Sequence, residues 1–286
     1  MLIKATPSDL NRYQEDAYQL SLELSKSSFP TFSDGIKTKD DFNHMVEKAF
    51  THDHSEILLF TLDNAFQGLI QYYWIPEDHY LGIEVFSIQQ AYDEALEEFL
   101  NHIAEAFPGY KAYLGFPEEN KRATMYLQSR GYLPKESSYV YLLHLEEFSG
   151  EKENSVVPIT TEQFDEFRLL HDEQEEIYWN SDRLFEALQK KTKNPWHVLG
   201  LFDKSGLAGS IYFTYYKEMM EIFGIDYRDK VFSKKVMKPL MKAALNKGKK
   251  DAQKHLIYFA GEEERSVLQE INMEYLCTYY LFVIDL

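Results

Sequence analysis

Several residue types are scarce in this sequence of 286 residues, and each scarcity excludes a class of protein. A single cysteine cannot form a disulfide within the chain, so a disulfide framework is excluded. No run of about 18 apolar residues occurs, which argues against a membrane-spanning helix. The first residues also lack the layout of a secretory signal peptide. We therefore expect a soluble, cytoplasmic protein that does not act in a membrane.

Basic residues are scarce as well. The chain has 30 Lys and Arg against 47 Asp and Glu, which gives a net charge of −17. The imbalance lies mostly in residues 1–150, with 11 basic and 24 acidic side chains. A field of this sign disfavours nucleic acid and anionic membranes as partners, and it attracts cationic ligands such as amines. The alternative is that the charge serves solubility alone.

Aromatic residues are abundant. The chain has 21 Tyr and 20 Phe, and 44% of its residues are hydrophobic. This composition favours β-strands and amphipathic pockets over disorder. The length suits two domains, each of which can bury a core of its own.

A long internal repeat supports this division. Gly68 opens the segment Gly-Leu-Ile-Gln-Tyr-Tyr, and Gly209 opens Gly-Ser-Ile-Tyr-Phe-Thr-Tyr-Tyr, 141 residues later. Residues 138–145 match residues 279–286 at the same offset. This period is too long for a solenoid repeat, so it indicates one domain fold used twice. A polar linker at residues 149–155 separates the predicted domains, 1–149 and 155–286.

Hydrophobic periodicity predicts the same element order in both halves, β-α-α-β-β-β-α-β-α-β, which is a mixed α/β sheet. The fourth strand of each half, at residues 80–88 and 219–226, is apolar except for one glutamate. These glutamates are Glu84 and Glu221.

The most specific motif begins at Asn120. Ala123 follows three residues later, and Gly131 and Tyr132 follow at eleven and twelve residues. This pattern resembles the late signature of the GNAT superfamily of N-acetyltransferases, and the element order resembles that fold over nearly the whole chain. The resemblance implies transfer of an acetyl group from acetyl-CoA to a primary amine of a small molecule or peptide.

The resemblance also implies where acetyl-CoA would bind. In the family, the fourth strand parts from the fifth, and its main chain holds the pantetheine arm. A glycine-rich turn at the next helix start then holds the pyrophosphate. On this pattern the cofactor-binding residues are Phe223 and Ile225 on the strand, and Asn120 in the first half. The helix start adds Ser233, Lys234, Lys235, Val236 and Lys238.

Both halves depart from the glycine-rich pattern. After Ile88 the first half has no glycine before the helix, and Asp93 and Glu94 stand where phosphates would approach. We therefore expect the first half to be degenerate and not to bind CoA in the family manner. The second half also lacks the glycine, but residues 228–254 hold ten basic and two acidic residues. That cluster suggests an anionic partner such as CoA, or else a solvated basic face opposite the acidic first domain.

Amine acetylation needs a base, and family members often carry it on the fourth strand. Burial there raises a carboxylate pKa towards a useful range, so Glu221, and after it Glu84, are the candidate catalytic residues. The alternative is that each glutamate only pairs with a neighbouring Lys, Arg or Tyr. The family's tyrosine acid has no counterpart, since Leu127 and Leu268 occupy its position.

Other features predict less. The His52-Asp53-His54 run lacks a third ligand, so we expect no metal site, and Cys277 is expected to be a small buried hydrophobe.

A rival interpretation is an inactive tandem GNAT-like fold that serves as a binding or scaffolding module. A third interpretation, a tandem fold that accepts aminoacyl-tRNA, is disfavoured by the acidity. An exposed last strand in each half could pair with its counterpart in a homodimer.

Overall fold

We describe a computed structural model of the chain. It describes residues 1–29, 32–34, 36–150, 155–161, 163–172, 178–190 and 194–286. The chain divides into two compact units. Unit 1 comprises Met1–Ser138 together with Cys277–Leu286, and unit 2 comprises Tyr139–Leu276.

The first half of the chain contributes six strands and four helices among the described residues. The strands are β1 (Leu2–Lys4), β2 (Ser55–Leu62), β3 (Ala65–Ile75), β4 (Tyr80–Ile88), β5 (Lys111–Pro117) and β6 (Pro134–His144). The helices are α1 (Pro7–Ser21), α2 (Lys39–Ala49), α3 (Tyr92–Ala106) and α4 (Lys121–Ser129). Thr6 with Asp9, and Thr38 with Asp41, form capping boxes that fix where α1 and α2 begin.

The second half repeats this order. Its strands are β7 (Val156–Pro158), β8 (Trp196–Asp203), β9 (Gly206–Tyr216), β10 (Met219–Tyr227), β11 (His255–Ala260) and β12 (Glu274–Asp285). Its helices are α5 (Phe164–His171), α6 (Ser181–Gln189), α7 (Lys234–Lys250) and α8 (Arg265–Glu270). The predicted element order is therefore confirmed in both halves, and so is the mixed α/β class.

Element bounds differ from the predictions at several ends. Helix α7 begins two residues earlier and ends five residues later than the predicted 236–245. The predicted last residues of the two helices before it, Gln174 and Lys191, lie outside the described residues, as do 151–154 of the predicted linker. Within the described part of the chain, no helix has the length and apolar character needed to span a membrane.

Each unit has a mixed sheet between two helical layers. The strand order in unit 1 is β1-β2-β3-β4-β5-β12, and in unit 2 it is β6-β11-β10-β9-β8-β7. In unit 1, side chains of α1 and α2 pack on one face and those of α3 and α4 on the other. In unit 2, α5 and α6 cover one face and α7 and α8 the other. The helices therefore bury the apolar side chains of both sheet faces.

The last strand of each half belongs to the unit built by the other half. Residues 279–285 of β12 pair with β5 of unit 1, and Phe282 lies fully buried in the core of that unit. Residues 139–144 of β6 pair with β11 of unit 2. The compact units therefore differ from a division at residues 149–155, because long-range pairing and not sequence order assigns the two strands.

Candidate functional site

Two neighbouring parallel strands part in each unit. In unit 1, β4 pairs with β5 only from Tyr80 to Gly82, although β4 continues to Ile88. In unit 2, β10 pairs with β11 from Met219 to Ile222, although β10 continues to Tyr227. Each departure begins beside a β-bulge in the pairing with the preceding strand. A bulge bends its strand and leaves one residue unpaired, so it is a physical cause of the parting.

The chain itself fills the gap in unit 1. The amide of Ile88 donates to the carbonyl of Lys26 at 3.0 Å, and the amide of Phe86 donates to Ser28 Oγ at 2.8 Å. On the opposite side, the amide of Phe29 donates to the carbonyl of Gly115 on β5 at 2.9 Å. We call residues 26–29 the inserted segment. It bonds the Phe86 and Ile88 amides of β4, so these main-chain groups are not open to a ligand while the segment stays there.

Asn120 holds the inserted segment in place. Its side chain is fully buried, and Nδ2 donates to the carbonyl of Ser27 at 2.9 Å and to the hydroxyl of Tyr92 at 2.7 Å. Its Oδ1 accepts from the amide of Ala123, which caps the start of α4. Both amide protons are thus used within the protein, which gives Asn120 a structural role, and its contact with a cofactor stays a prediction.

The parted strand of unit 2 is more accessible. Phe223 and Gly224 are half-buried on β10, whereas Val85 and Phe86 of β4 are buried. Ile225 points into the core, so only its main chain could serve a ligand. A Cβ on Gly224 would collide with the hydroxyl of Tyr212, so this position leaves room for that ring.

A basic helix start follows β10. Ser233 is the N-cap of α7, the first turn has no acidic residue, and Lys234 and Lys235 are exposed. Val236 is half-buried beside them. Lys234 and Lys238 both form ion pairs with Glu270, and these pairs hold the pKa of the Glu270 carboxyl below its ordinary value. Only part of the predicted basic cluster therefore lies at a helix N-terminus, where one carboxylate pairs with Lys234 and Lys238, whereas Lys247, Lys249 and Lys250 lie in the last turn of α7.

A buried carboxyl group links the two parted strands of unit 2. Glu264 accepts hydrogen bonds from the hydroxyls of Tyr227 on β10 and Tyr258 on β11, at 3.2 and 2.8 Å. The amide of Gly261 also donates to it, at 2.9 Å. Burial raises the pKa of this carboxyl above its ordinary value. Side chains therefore connect β10 and β11 beyond their last backbone pair.

Glu84 occupies the bulge of β4. Val85 pairs with Gln71 and Ile83 with Tyr72, which leaves Glu84 as the extra residue. Gln71 Nε2 donates to its carboxylate, and burial raises the pKa of the Glu84 carboxyl while Lys48 opposes the rise. The side chain lies on the α2 side of the sheet, since the same Gln71 amide also donates to the carbonyl of Met45.

Glu221 is not the counterpart of Glu84. The unpaired residue at the bulge of β10 is Phe223, because Ile222 pairs with Phe213 and Gly224 pairs with Tyr212. Glu221 precedes the bulge by two residues, which places its side chain on the same face as Phe223. The two predicted catalytic glutamates therefore occupy different places in the fold. Both strands bulge at their fifth residue, which is Glu84 in β4 and Phe223 in β10, whereas Glu221 is the third residue of β10.

An aromatic wall stands beside Glu221. The register aligns Trp196, Thr214 and Glu221 across three strands, with their side chains on one face. The ring centroid of Trp196 lies 4.8 Å from that of Phe223 and 4.3 Å from that of Trp179. We call Trp179, Trp196 and Phe223 the aromatic wall. It faces the α5 and α6 side of the sheet.

Sequence reasoning missed one buried polar pair in unit 2. His171 at the end of α5 and Asp226 on β10 are 0% and 1% exposed, and Nδ1 lies 3.1 Å from Oδ2. Ser210 donates to the same Asp226 oxygen at 2.6 Å. A histidine in the apolar stripe of a short helix was the only available signal, and it does not name its partner.

The minor sequence features have simple outcomes. No group of three metal-ligating side chains occurs among the described residues. Cys277 is buried, and burial raises its pKa to about 12, so the thiol stays protonated, and the prediction of a small buried hydrophobe is confirmed. Leu127 and Leu268, at the position of the family's tyrosine acid, are fully buried.

Solved structures share this architecture. A GCN5-related N-acetyltransferase from Sphaerobacter thermophilus matches with a TM-score of 0.64 and 13% identity, covering 100% of this chain and 97% of its own. A tandem GNAT protein from the clavulanic acid biosynthesis pathway matches with a TM-score of 0.52 and 10% identity, covering 99% and 98%. This chain has the GNAT fold. The predicted resemblance is thereby confirmed for the fold.

A third structure extends the comparison. An acetyltransferase of the GNAT family from Colwellia psychrerythraea matches with a TM-score of 0.50 and 11% identity, covering 99% of both chains. No protein-family model matches the sequence, and a search of the curated proteins finds no match. The tandem GNAT fold therefore rests on structure, and the chemistry must be argued from the site.

Proposed function

We propose that this chain is an acyl-CoA-dependent N-acyltransferase whose donor binds in unit 2. The observation that carries the proposal is the parted pair β10 and β11, with half-buried Phe223 and Gly224 on the parted edge and a basic helix start just beyond it. The inserted segment in unit 1 supports the same assignment, because it leaves unit 2 as the unit with accessible strand edges.

The residues of unit 2 fit the donor by charge. Main-chain groups from Phe223 to Ile225 would hold the pantetheine arm, and Ser233, Val236 and the lysines of the α7 start would hold phosphates. Lys234 and Lys238 would have to release Glu270. Exposed ion pairs contribute only about 0–1 kcal/mol, so phosphate can replace that carboxylate at small cost. Acetyl-CoA would supply the activated thioester carbonyl.

The acceptor side of the sheet suits a primary amine of a small molecule or peptide. An ammonium group must lose its proton before it can attack, and in this proposal Glu221 accepts that proton. The neighbouring rings of Phe223 and Trp196 favour a cation over an anion, since aromatic faces attract positive charge. The net charge of −17 attracts the same class of acceptor.

The test uses thermal unfolding with and without acetyl-CoA. A ligand at 100 times its Kd stabilises the folded state by about 2.7 kcal/mol, so a real site raises the Tm. Lys234→Glu combined with Lys235→Glu should abolish the shift. Lys250→Glu, at the other end of α7, and Glu94→Lys in unit 1 are single charge reversals away from the α7 start that should preserve it. A shift that survives the Lys234 and Lys235 changes would remove the α7 start from the donor site.

Turnover separates binding from chemistry. Glu221→Gln should lose acetylation of amine acceptors while keeping the acetyl-CoA shift, because the amide cannot accept the proton. Unchanged turnover would remove Glu221 from the mechanism.

A second candidate function, a binding module without catalysis, is favoured by the filled gap of unit 1. Absence of any shift at millimolar acetyl-CoA would support that candidate against ours.

A further inference from the structure

His171 makes two hydrogen bonds inside unit 2. Its Nδ1 lies 3.1 Å from Asp226 Oδ2, and its Nε2 lies 2.7 Å from the carbonyl oxygen of Trp179. The ring is fully buried, stacks on Phe167 at 4.8 Å, and meets the edge of Tyr212. Packing therefore fixes the orientation of the ring.

Both partners of the ring are acceptors. A neutral imidazole has one N–H donor, whereas the imidazolium has two. A carboxylate and a carbonyl, one at each nitrogen, are satisfied together only by the charged form. Ser210 also donates to Asp226. Asp172, which follows His171 in the chain, adds negative charge nearby. Burial opposes the charge, but the bond and charge of Asp226, the bond to the Trp179 carbonyl and the charge of Asp172 outweigh it, so the pKa of His171 is raised.

The second bond reaches the aromatic wall. It fixes the main chain of Trp179, whose ring packs 4.3 Å from Trp196. Trp196 in turn packs against Phe223 at the bulge, on the face that carries Glu221. A chain of contacts thus runs from Asp226 through His171 to the wall beside the proposed base.

We propose that His171, as an imidazolium bridging Asp226 and the carbonyl of Trp179, is a positioning residue that holds Trp179 in the aromatic wall. Loss of its proton removes one of the two bonds and releases Trp179. The role in acylation rests on the proposed function, whereas the bridge itself does not. The stabilising bond is fully present below the unfolded-state pKa of about 6.5 and is lost as pH rises through the raised folded-state pKa.

The tryptophans allow a direct test. The chain has three, and Trp74→Phe leaves only Trp179 and Trp196 to report. In that background we expect the fluorescence spectrum to titrate with one midpoint above pH 6.5. His197 does not interfere, because burial, with Lys247, lowers its pKa to about 4. His171→Phe combined with Asp226→Asn keeps the ring packing, avoids an unpaired buried carboxylate, and should abolish the titration.

A second measurement does not depend on a folded variant. Nitrogen chemical shifts of the imidazole in the parent protein report whether both ring nitrogens carry protons at pH 6. A neutral His171 at that pH, or a fluorescence spectrum that does not titrate, overturns the proposal.

Kinetics distinguish the two proposals. The double variant should keep the acetyl-CoA thermal shift but lose up to ~100-fold in kcat/KM for the amine, as misplacement of a site wall predicts. An intact titration with no acetylation would reject the proposed function and keep the bridge. An intact titration with unchanged kcat/KM in the double variant would reject the positioning role.

Discussion

Asn120→Ala tests whether the inserted segment is held in the gap of unit 1. In the parent protein this side chain joins three elements, because it caps α4, donates to Ser27 and donates to Tyr92 on α3. Alanine removes all three bonds and introduces no new group. The carbonyl of Ser27 would then be buried without its donor, whereas Tyr92 keeps its bond to the carbonyl of Phe86 at 3.2 Å.

The magnitude follows from these losses. A lost N-cap costs about 1 kcal/mol, and a buried polar group left without its partner costs about 1–3 kcal/mol. We expect a loss of about 3 kcal/mol in the free energy of unfolding of unit 1. One kcal/mol shifts Tm by about 2–4 °C in a unit of this size, so Tm should fall by about 6–12 °C.

Asn180→Ala is the matched control. Asn180 caps α6 by accepting from the amide of Arg183, but its side chain is exposed and bonds no other segment among the residues that the structure describes. Asn180→Ala should lower the free energy of unfolding by about 1 kcal/mol. The assay is thermal unfolding together with hydrogen exchange of the Phe29, Phe86 and Ile88 amides, whose bonds belong to the inserted segment. Equal costs for the two variants, with those amides still protected, would refute the reasoning.

Two further predictions concern strand β12, which belongs to unit 1, and the stability of the folded protein at acid pH. Phe282→Ala should destabilise unit 1 by about 3–5 kcal/mol. Amide hydrogen exchange should become faster in β5 and stay unchanged in β8 and β9. Loss of protection in β11 instead would contradict the pairing. Because the folded pKa of His197 is lowered to about 4, stability should fall as pH drops from about 6.5 towards 4. His197→Phe should weaken that dependence in urea unfolding, whereas the exposed His52→Gln should not.

The sequence by itself determined the element order and the repeat. Period-2 and period-3.6 patterns act over short distances along the chain, and the 141-residue offset repeats the same order of elements. These signals were sufficient for a tandem mixed α/β fold resembling GNAT. They also indicated that the first half would not bind CoA in the family manner.

Only the tertiary structure shows what occupies the gap of unit 1. The sequence pointed to the carboxylates Asp93 and Glu94, whereas the fold fills the gap with residues 26–29, some 60 residues away along the chain from the strand they bond. A segment with no periodic pattern gives no local signal of where it packs. Likewise, Asn120 matched a signature in sequence, but only the structure shows its bonds to Ser27 and Tyr92.

Contacts between distant residues also determined the bulges, the placement of β6 and β12, and the buried pairs. The unpaired residue at the bulge is Glu84 in β4 but Phe223 in β10, and strand pairing across more than 160 residues placed Phe282 in unit 1. The bridge from Asp226 through His171 joins residues 55 positions apart. Local patterns set which segments become helices or strands, but hydrogen bonds and burial between distant residues set which segments meet, and the site depends on those meetings.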